Sequence, residues 1–344
     1  MAIHNSTGSR LYRILPMAKF AAANGHNVKV RGLKAGEKGG IADSDLQWAD
    51  IVVVEMIYSP EFIKACHKAN AKIVYEIDDL MQRVSKNHPA YKDMNWWRTF
   101  LTYKCLHMAD HMTVTTEVLK KKYKWFNQEI TVLPNYLDFD FWELPHQPNE
   151  SDTIRIGWSG GNSHKDDLLM IKPVMEKVLK KYNNVKFIAC GFGGTNTPND
   201  WVVYNYGENI FSNLPSEKYE FSLGAPMEVW PSKLNSLRLD IGLAPVVENV
   251  FSRCKSNCKA LEYGINHIPG IYSKFLYKNA VKEGETGYLV ETEDEWVEKI
   301  CELIEDKKKR KKMGENAYQH IKENFDFNKY GHLWLETYED VLYK

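Results

Sequence analysis

Residues 51–54, Ile-Val-Val-Val, form an unbroken apolar run. A strand with no polar side is buried on both faces, as in a parallel sheet covered by helices. Such runs recur, and helix-patterned segments separate them. In the first part of the chain the pattern predicts strands over 28–30, 51–54, 72–77, 112–114 and 130–133, and helices over 17–24, 60–69, 96–108 and 117–123. Residues 136–152 then carry three aspartates, two prolines and no periodicity, and read as a linker.

A second alternating series follows, with strands expected over 154–158, 185–190, 201–204, 241–244, 269–271 and 288–290. Its helices are expected over 163–181, 231–237, 256–263, 294–305 and 308–323. Two strand–helix series joined by a linker predict an α/β protein of two doubly wound, Rossmann-like domains. The 344 residues are too many for one ordinary core and suit two. Ligands in such sheets sit beyond the carboxyl ends of the strands, so the cleft between the domains is the expected site.

Composition removes several classes. Lys+Arg and Asp+Glu are equal at 45 each, so overall charge gives no drive toward nucleic acid or membrane. The six cysteines are scattered without a CxxC pair, which predicts reduced thiols in a cytoplasm. Cys254 and Cys258 lie one helical turn apart but lack the partner ligands of a zinc site. The N-terminal sequence has no apolar signal region, and no run of about 18 apolar residues can cross a membrane.

The most informative stretch is LDIGLAPVVENVFSRCKSNCKALEYG, residues 239–264. A buried strand leads into a polar loop and then a helix starting near Ser256. Lys255, Lys259 and Glu262, spaced i, i+4, i+7, are expected on one helix face. Cations beside the free N–H groups of a helix N-terminus, including those of Ser256 and Asn257, suit a phosphate. A carboxylate two turns in can accept hydrogen bonds from sugar hydroxyls, so the group suggests a nucleotide-sugar site. The plain alternative is a surface helix on which Lys259 and Glu262 pair.

Four further segments bear on chemistry. IRIGWSGGNSHK, residues 154–165, runs a strand into Gly160-Gly161, with Ser163 as expected N-cap and Asp166 and Asp167 in the first helical turn. Backbone at Ser159, Gly160 and Gly161 can approach a phosphate, and Lys165 can reach it. NSTGSRLYR, residues 5–13, is a second glycine-containing loop, whose Gly8, Ser9 and Arg10 are expected to face the cleft from the first domain. Asp78 and Asp79 end a strand, where α/β proteins place catalytic groups. Asp138-Phe139-Asp140 has a metal-binding spelling but falls in the linker. The run Lys307–Lys312 is a solvated helix start or a contact for anionic lipid or nucleic acid.

These motifs together resemble the retaining glycosyltransferases of the GT-B fold, family 4 type. The resemblance runs through ADHMTVTTEVLKKKY, ITVLPNYLD, IRIGWSGGNSHKD, LDIGLAP, KALEYG and EGETGYLV, in that order. It implies an acceptor-side domain over 1–145, a donor-side domain over 150–327 and a terminal helix within 328–344 that packs back on the first domain. Leu333, Leu335, Tyr338 and Leu342 of that helix need a partner surface. It also implies a nucleotide-sugar donor, transfer with retention, and neither metal nor cofactor. The acceptor is then a glycan, a lipid-linked glycan, a protein or a modified nucleobase.

Glu262 matches the second acid of the family's Glu-x7-Glu motif, which binds ribose. The first falls at Cys254, and Ser159 stands where the family's phosphate-binding arginine is usual. Arg253 and Lys255 are therefore expected to join Lys165 in a clamp on the leaving phosphate, with Asp79 as a catalytic group on the acceptor side. Two rivals are a nucleotide-sugar epimerase on the same fold and a non-catalytic sugar-nucleotide-binding module. The expected location is cytoplasmic, with peripheral contact at the inner membrane face through Lys307–Lys312.

Overall fold

A computed structural model describes residues 1–4, 7–32, 41–161, 163–191 and 210–344. The strand expected over 201–204, and Asn5, Ser6 and Asn162, lie outside the described residues. Twelve strands are described, in two six-stranded sheets whose neighbours are all parallel. The first has the order β2-β1-β3-β4-β5-β6, from β1 (Ala2–His4), β2 (Val30–Gly32), β3 (Ile51–Glu55), β4 (Lys72–Ile77), β5 (His111–Val114) and β6 (Ile130–Val132). The second has the order β12-β11-β10-β7-β8-β9, from β7 (Ile154–Gly160), β8 (Val185–Gly191), β9 (Tyr219–Leu223), β10 (Ile241–Ala244), β11 (Gly270–Ser273) and β12 (Gly287–Val290).

Strand order reverses beside β1 in the first sheet and between β7 and β10 in the second. A doubly wound sheet opens its ligand crevice at that switch point, outside the carboxyl ends of the strands. The inner strands are buried on both faces, and Val52, Val54, Ile73, Val74 and Tyr75 are all fully enclosed. This is why they read as continuous apolar runs.

Several expectations shift in detail. β2 lies at 30–32 rather than 28–30, because an edge strand with half-exposed residues carries little pattern. The Lys165–Lys181 helix has His164 at its N-cap position rather than Ser163, with no side-chain cap. The Cys258–Ile265 helix starts two residues later than expected, so Lys255 sits in the preceding loop in extended backbone. Residues 7–14 are helical rather than a loop, and Arg10–Ile14 is a π-helical turn that leads into Leu15–Ala23. The expected linker contains a short helix, Phe139–Trp142, whose two end residues are buried.

The His332–Tyr343 helix places Trp334, Tyr338 and Val341 in one core with Ala2, Ile14, Val53 and Val74. In the other direction, Phe251 and Cys254 of the second domain are buried with Leu119 and Tyr123 of the first. Leu11 and Tyr12 of the first domain pack with Trp230, Leu261 and Tyr263 of the second. The two domains therefore share side chains across the cleft.

Candidate active site

The two switch points face a cavity of about 620 Å3. From the second domain it is lined by the Gly160-Gly161 turn after β7, by His164, by Lys255 and Ser256 of the loop after β10, and by Cys258, Lys259 and Glu262 of the helix that follows. From the first domain come Gly8, Tyr12, Asp78, Asp79 and Asn135.

Glycine is required at the floor. A Cβ on Gly191 would lie 1.8 Å from the Gly160 carbonyl oxygen, across the β7–β8 register. One on Gly160 would lie 2.6 Å from the Trp158 ring. Close packing thus requires both glycines, whereas the Cβ position of Gly161 opens on free space.

Lys259 and Glu262 share a helix but form no ion pair with each other among the described residues. Lys259 donates from Nζ to the Ser159 carbonyl oxygen, and burial lowers its pKa. Glu262, 7% exposed, accepts from the Tyr12 hydroxyl and, at 3.3 Å, from Trp230 Nε1. Burial raises its pKa, against the pull of Lys259. The partner of the expected ribose-binding acid is therefore a tyrosine from the opposite domain. Tyr12 stacks on Trp142 at 5.6 Å, and burial, then Glu262, raises its own pKa well above the usual phenol range.

Asp78 and Asp79 end β4. Asp78 accepts from Ser9 Oγ, and its carbonyl oxygen accepts from Thr115 at 3.0 Å. Burial pushes the Asp79 carboxyl up to about 6, with Lys255 pulling it down and Asp78 pushing it further up. Lys255 and Asp79 therefore sense each other across the cleft. Arg10 spans the same boundary to Glu228 at 3.1 Å.

Asn135, from the LPN passage, reaches over to the donor-side helix. Its Nδ2 donates to Ser256 Oγ at 2.9 Å and to Cys258 Sγ at 3.1 Å. Its Oδ1 accepts from Arg13 Nη1 at 2.8 Å. Arg13 is fully buried against Glu76 and stacks its guanidinium 4.5 Å over the Trp334 ring. The first-domain core thereby fixes the start of the Cys258–Ile265 helix. No side chain caps that helix at Asn257, which leaves its first N–H groups to an anion.

His164 was not expected at the site. Its Nδ1 lies 2.6 Å from Asp167 Oδ2, while Asp167 Oδ1 accepts the Val247 N–H at 2.7 Å. Burial lowers the His164 pKa to about 4, against the pull of Asp167. The ring is then neutral, Nδ1–H faces the carboxylate, and Nε2 is an acceptor on a ring that lines the cavity.

Not every candidate reaches the cavity. Arg253 is exposed and pairs with Glu248, because it points away from the turn that buries Ser252 and Cys254. Lys165 and Asn257 lie at the starts of their helices but are not in the cavity wall. Ser159 is fully buried and contributes its carbonyl oxygen to Lys259 rather than a side chain to the cavity. Of the three residues expected in the clamp, only Lys255 lines the cavity, with Lys259 also in its wall. Asp138 and Asp140 are held by Lys19 at 3.0 and 2.6 Å. Tyr12, Asn135 and His164 were missed as site residues because their roles depend on contacts across long sequence separations. The available signals were the position of His164 three residues after Gly161 and that of Asn135 in the LPN passage.

The sheets, their orders and the cleft define a two-domain GT-B protein. Residues 260–320 match the family model described as "Glycosyl transferases group 1", and the chain as a whole has the GT-B fold. Trehalose synthases of Thermococcus litoralis and Pyrococcus furiosus are each 40% identical over 65 residues. That is 19% of this chain, which spans 15% of the length of these curated relatives.

Among solved structures, a sucrose-phosphate synthase from Thermosynechococcus elongatus matches with TM-score 0.70 and 12% identity, covering 99% of this chain and 98% of that one. Anabaena HepE, in complex with UDP and glucose, matches with TM-score 0.71 and 12% identity, covering 98% of each. At these identities the likeness is one of fold.

Proposed function

We propose that this chain transfers a sugar from a nucleotide-sugar donor to an acceptor hydroxyl, with retention and without a metal. The observation that carries the reading is the cavity where the two switch points meet. It has a bare glycine turn, Lys255, Lys259 and an uncapped helix N-terminus on one side, and a carboxylate pair on the other.

In this reading residues 150–327 hold the donor, and residues 1–145 with 328–344 hold the acceptor. The diphosphate lies against Gly160-Gly161 and the start of the Cys258–Ile265 helix. Lys255 and Lys259 neutralise the charge that grows on the leaving phosphate, which is where fixed positive charge contributes most to rate. Glu262 receives the ribose hydroxyls once Tyr12 is displaced. His164 Nε2 accepts a hydrogen bond from a donor hydroxyl. Asp79, with its raised pKa, stands on the acceptor side, within the field of Lys255. The HepE complex with UDP makes a uridine nucleotide the first donor class to try.

The test is a thermal-shift screen against UDP-, GDP-, ADP-, TDP- and CMP-sugars, since a ligand of the native state raises Tm. Product analysis with the stabilising donor then follows, with and without EDTA. Transfer that survives EDTA and keeps the anomeric configuration supports the full reading. Isomerised donor formed without any acceptor would instead select the epimerase, and binding without turnover the non-catalytic module.

A further inference from the structure

The helices Pro60–Lys68, Trp96–Met108 and Glu117–Tyr123 cover one face of the first sheet, and their inner sides give Ile63, Cys66, Cys105, Leu106, Leu119 and Tyr123 to its core. The outer surface carries large exposed aromatics. Trp96, Trp97 and Phe100 are 77%, 50% and 50% exposed, and Trp125 is 83% exposed. The first three touch in sequence, with ring centroids 5.5 Å apart at each step. Phe126 stacks on Tyr103 of the same helix at 3.9 Å, so the turn that carries Trp125 lies beside that helix.

Charge is also concentrated here. Residues 83–129 hold nine lysines and arginines against four carboxylates, in a chain whose totals are equal. Two of the four are engaged outside the segment, Asp110 by His67 and Lys72 and Glu129 by Lys344. None of the nine cations enters an ion pair among the described residues. Rings that stand in water beside unpaired cations match a bilayer boundary, where amphipathic aromatics settle at headgroup level and lysines sit over anionic lipid.

We propose that this face docks on an anionic membrane surface, with Trp96, Trp97, Phe100 and Trp125 entering the headgroup layer. The basic run Lys307–Lys312, expected from sequence to make such a contact, is the weaker candidate. Its Lys309 is engaged by Glu302, and its Arg310 is buried on the Leu303 carbonyl oxygen at 2.6 Å. The aromatic helix begins at the carboxyl edge of the first sheet, after the loop opened by Asp78 and Asp79, and Arg98 lies 5.5 Å over the Tyr58 ring of the neighbouring β3 loop. Docking would therefore hold the acceptor side of the cleft beside the bilayer, within reach of a lipid-linked acceptor. Only that last consequence rests on the sugar-transfer reading.

The experiment is sedimentation of the full chain with phosphatidylcholine vesicles, with and without phosphatidylglycerol, followed by tryptophan emission. Binding should require the anionic lipid, fall as salt rises and shift emission to the blue. The triple change Trp96→Ala, Trp97→Ala, Phe100→Ala and the triple change Lys121→Glu, Lys122→Glu, Lys124→Glu should each weaken binding by about tenfold or more. All six positions are exposed, so Tm should hold and certify the fold. A variant with Lys307, Lys308, Lys311 and Lys312 changed to Glu should bind as the parent does.

No binding to anionic vesicles overturns the proposal. So does binding lost only in the 307–312 variant, or retention by heparin or RNA without retention by vesicles. Nucleotide binding is measured separately, so failure here leaves the donor site standing.

Discussion

Removing one hydroxyl should tighten nucleotide binding. Glu262 Oε1 accepts from Tyr12 Oη and from Trp230 Nε1, and a ribose diol that takes both oxygens of this carboxylate must displace the tyrosine. Tyr12→Phe keeps the ring on Trp142 and deletes only the competing donor. A hydrogen bond to a buried charged group contributes about 1.5–3 kcal/mol. Trp230 remains in place and the freed carboxylate regains some water, so the lower end applies. The Kd for UDP should then fall by about tenfold, since each 1.4 kcal/mol is a factor of ten. Glu262→Gln keeps the size, removes the charge and should weaken binding by about 1–3 kcal/mol. In the Glu262→Gln background Tyr12→Phe should have little effect, because both changes act on one contact. Calorimetry on the four proteins at neutral pH closes the cycle. An unchanged Kd in Tyr12→Phe would mean that Tyr12 and ribose do not compete. A weaker one would mean that the tyrosine itself holds the nucleotide.

Three further outcomes follow from the same geometry. Lys255→Ala should lower kcat more than it raises KM, whereas Arg253→Ala, whose side chain is exposed on Glu248, should keep full turnover in steady-state assays with the stabilising donor. Arg13→Met should cost about 3–5 kcal/mol in urea unfolding, because it strands the buried Glu76 carboxylate. The His164 pKa is lowered from 6.5 to about 4, so the neutral ring it favours supplies stability that is fully present above pH 6.5 and lost as pH falls toward 4, about 3 kcal/mol in all. Urea titrations at pH 7 and pH 4.5 should show that loss in the parent and a smaller one in His164→Asn.

The sequence was most legible where one element carries the signal. β3 and β4 announced themselves because burial on both faces leaves apolar runs, broken only by Glu55 and Glu76 near their carboxyl ends, and β10 ends at Ala244, just before Pro245. Gly160, Gly161, Asp78 and Asp79 were picked out at strand ends, and Lys255, Lys259 and Glu262 by their spacing at a helix start; all seven line one cavity. What could not be read depends on folding at a distance. Tyr12 and Glu262 are 250 positions apart, and nothing local marks either as the other's partner. Lys255 and Arg253 looked equivalent in one loop. The short 3-10 turn Ser252–Cys254 sends one inward and the other to solvent, and a two-residue offset carries no periodicity that would reveal it. The stretch read as a linker hides a buried turn because Phe139 and Trp142 pack without a repeating pattern.

Cys254 shows how the two domains set one site between them. By resemblance an acid belongs there, and its replacement looks like a lost donor contact. In the structure Cys254 is fully buried with Phe251 among Leu119 and Tyr123 of the first domain, its thiol pushed up to about 11 by burial. Thr116 Oγ1 donates to its carbonyl oxygen at 3.3 Å across the same boundary. The position anchors the loop that carries Lys255 and Ser256 to the opposite domain. Restoring the acid should therefore not restore a contact. Cys254→Glu would place a carboxylate without a partner in an apolar seam, at a cost of several kcal/mol unless the seam opens. It should lower Tm and weaken nucleotide binding together, because the loop moves with the seam. Cys254→Ala leaves a small void and no charge, and should lower Tm less while keeping the nucleotide. If Cys254→Glu instead keeps the parent Tm and binds UDP more tightly, the loop is free to turn the side chain into the cavity. The join between the domains would then rest on other contacts, those of Asn135, Tyr12 and Arg10 among them.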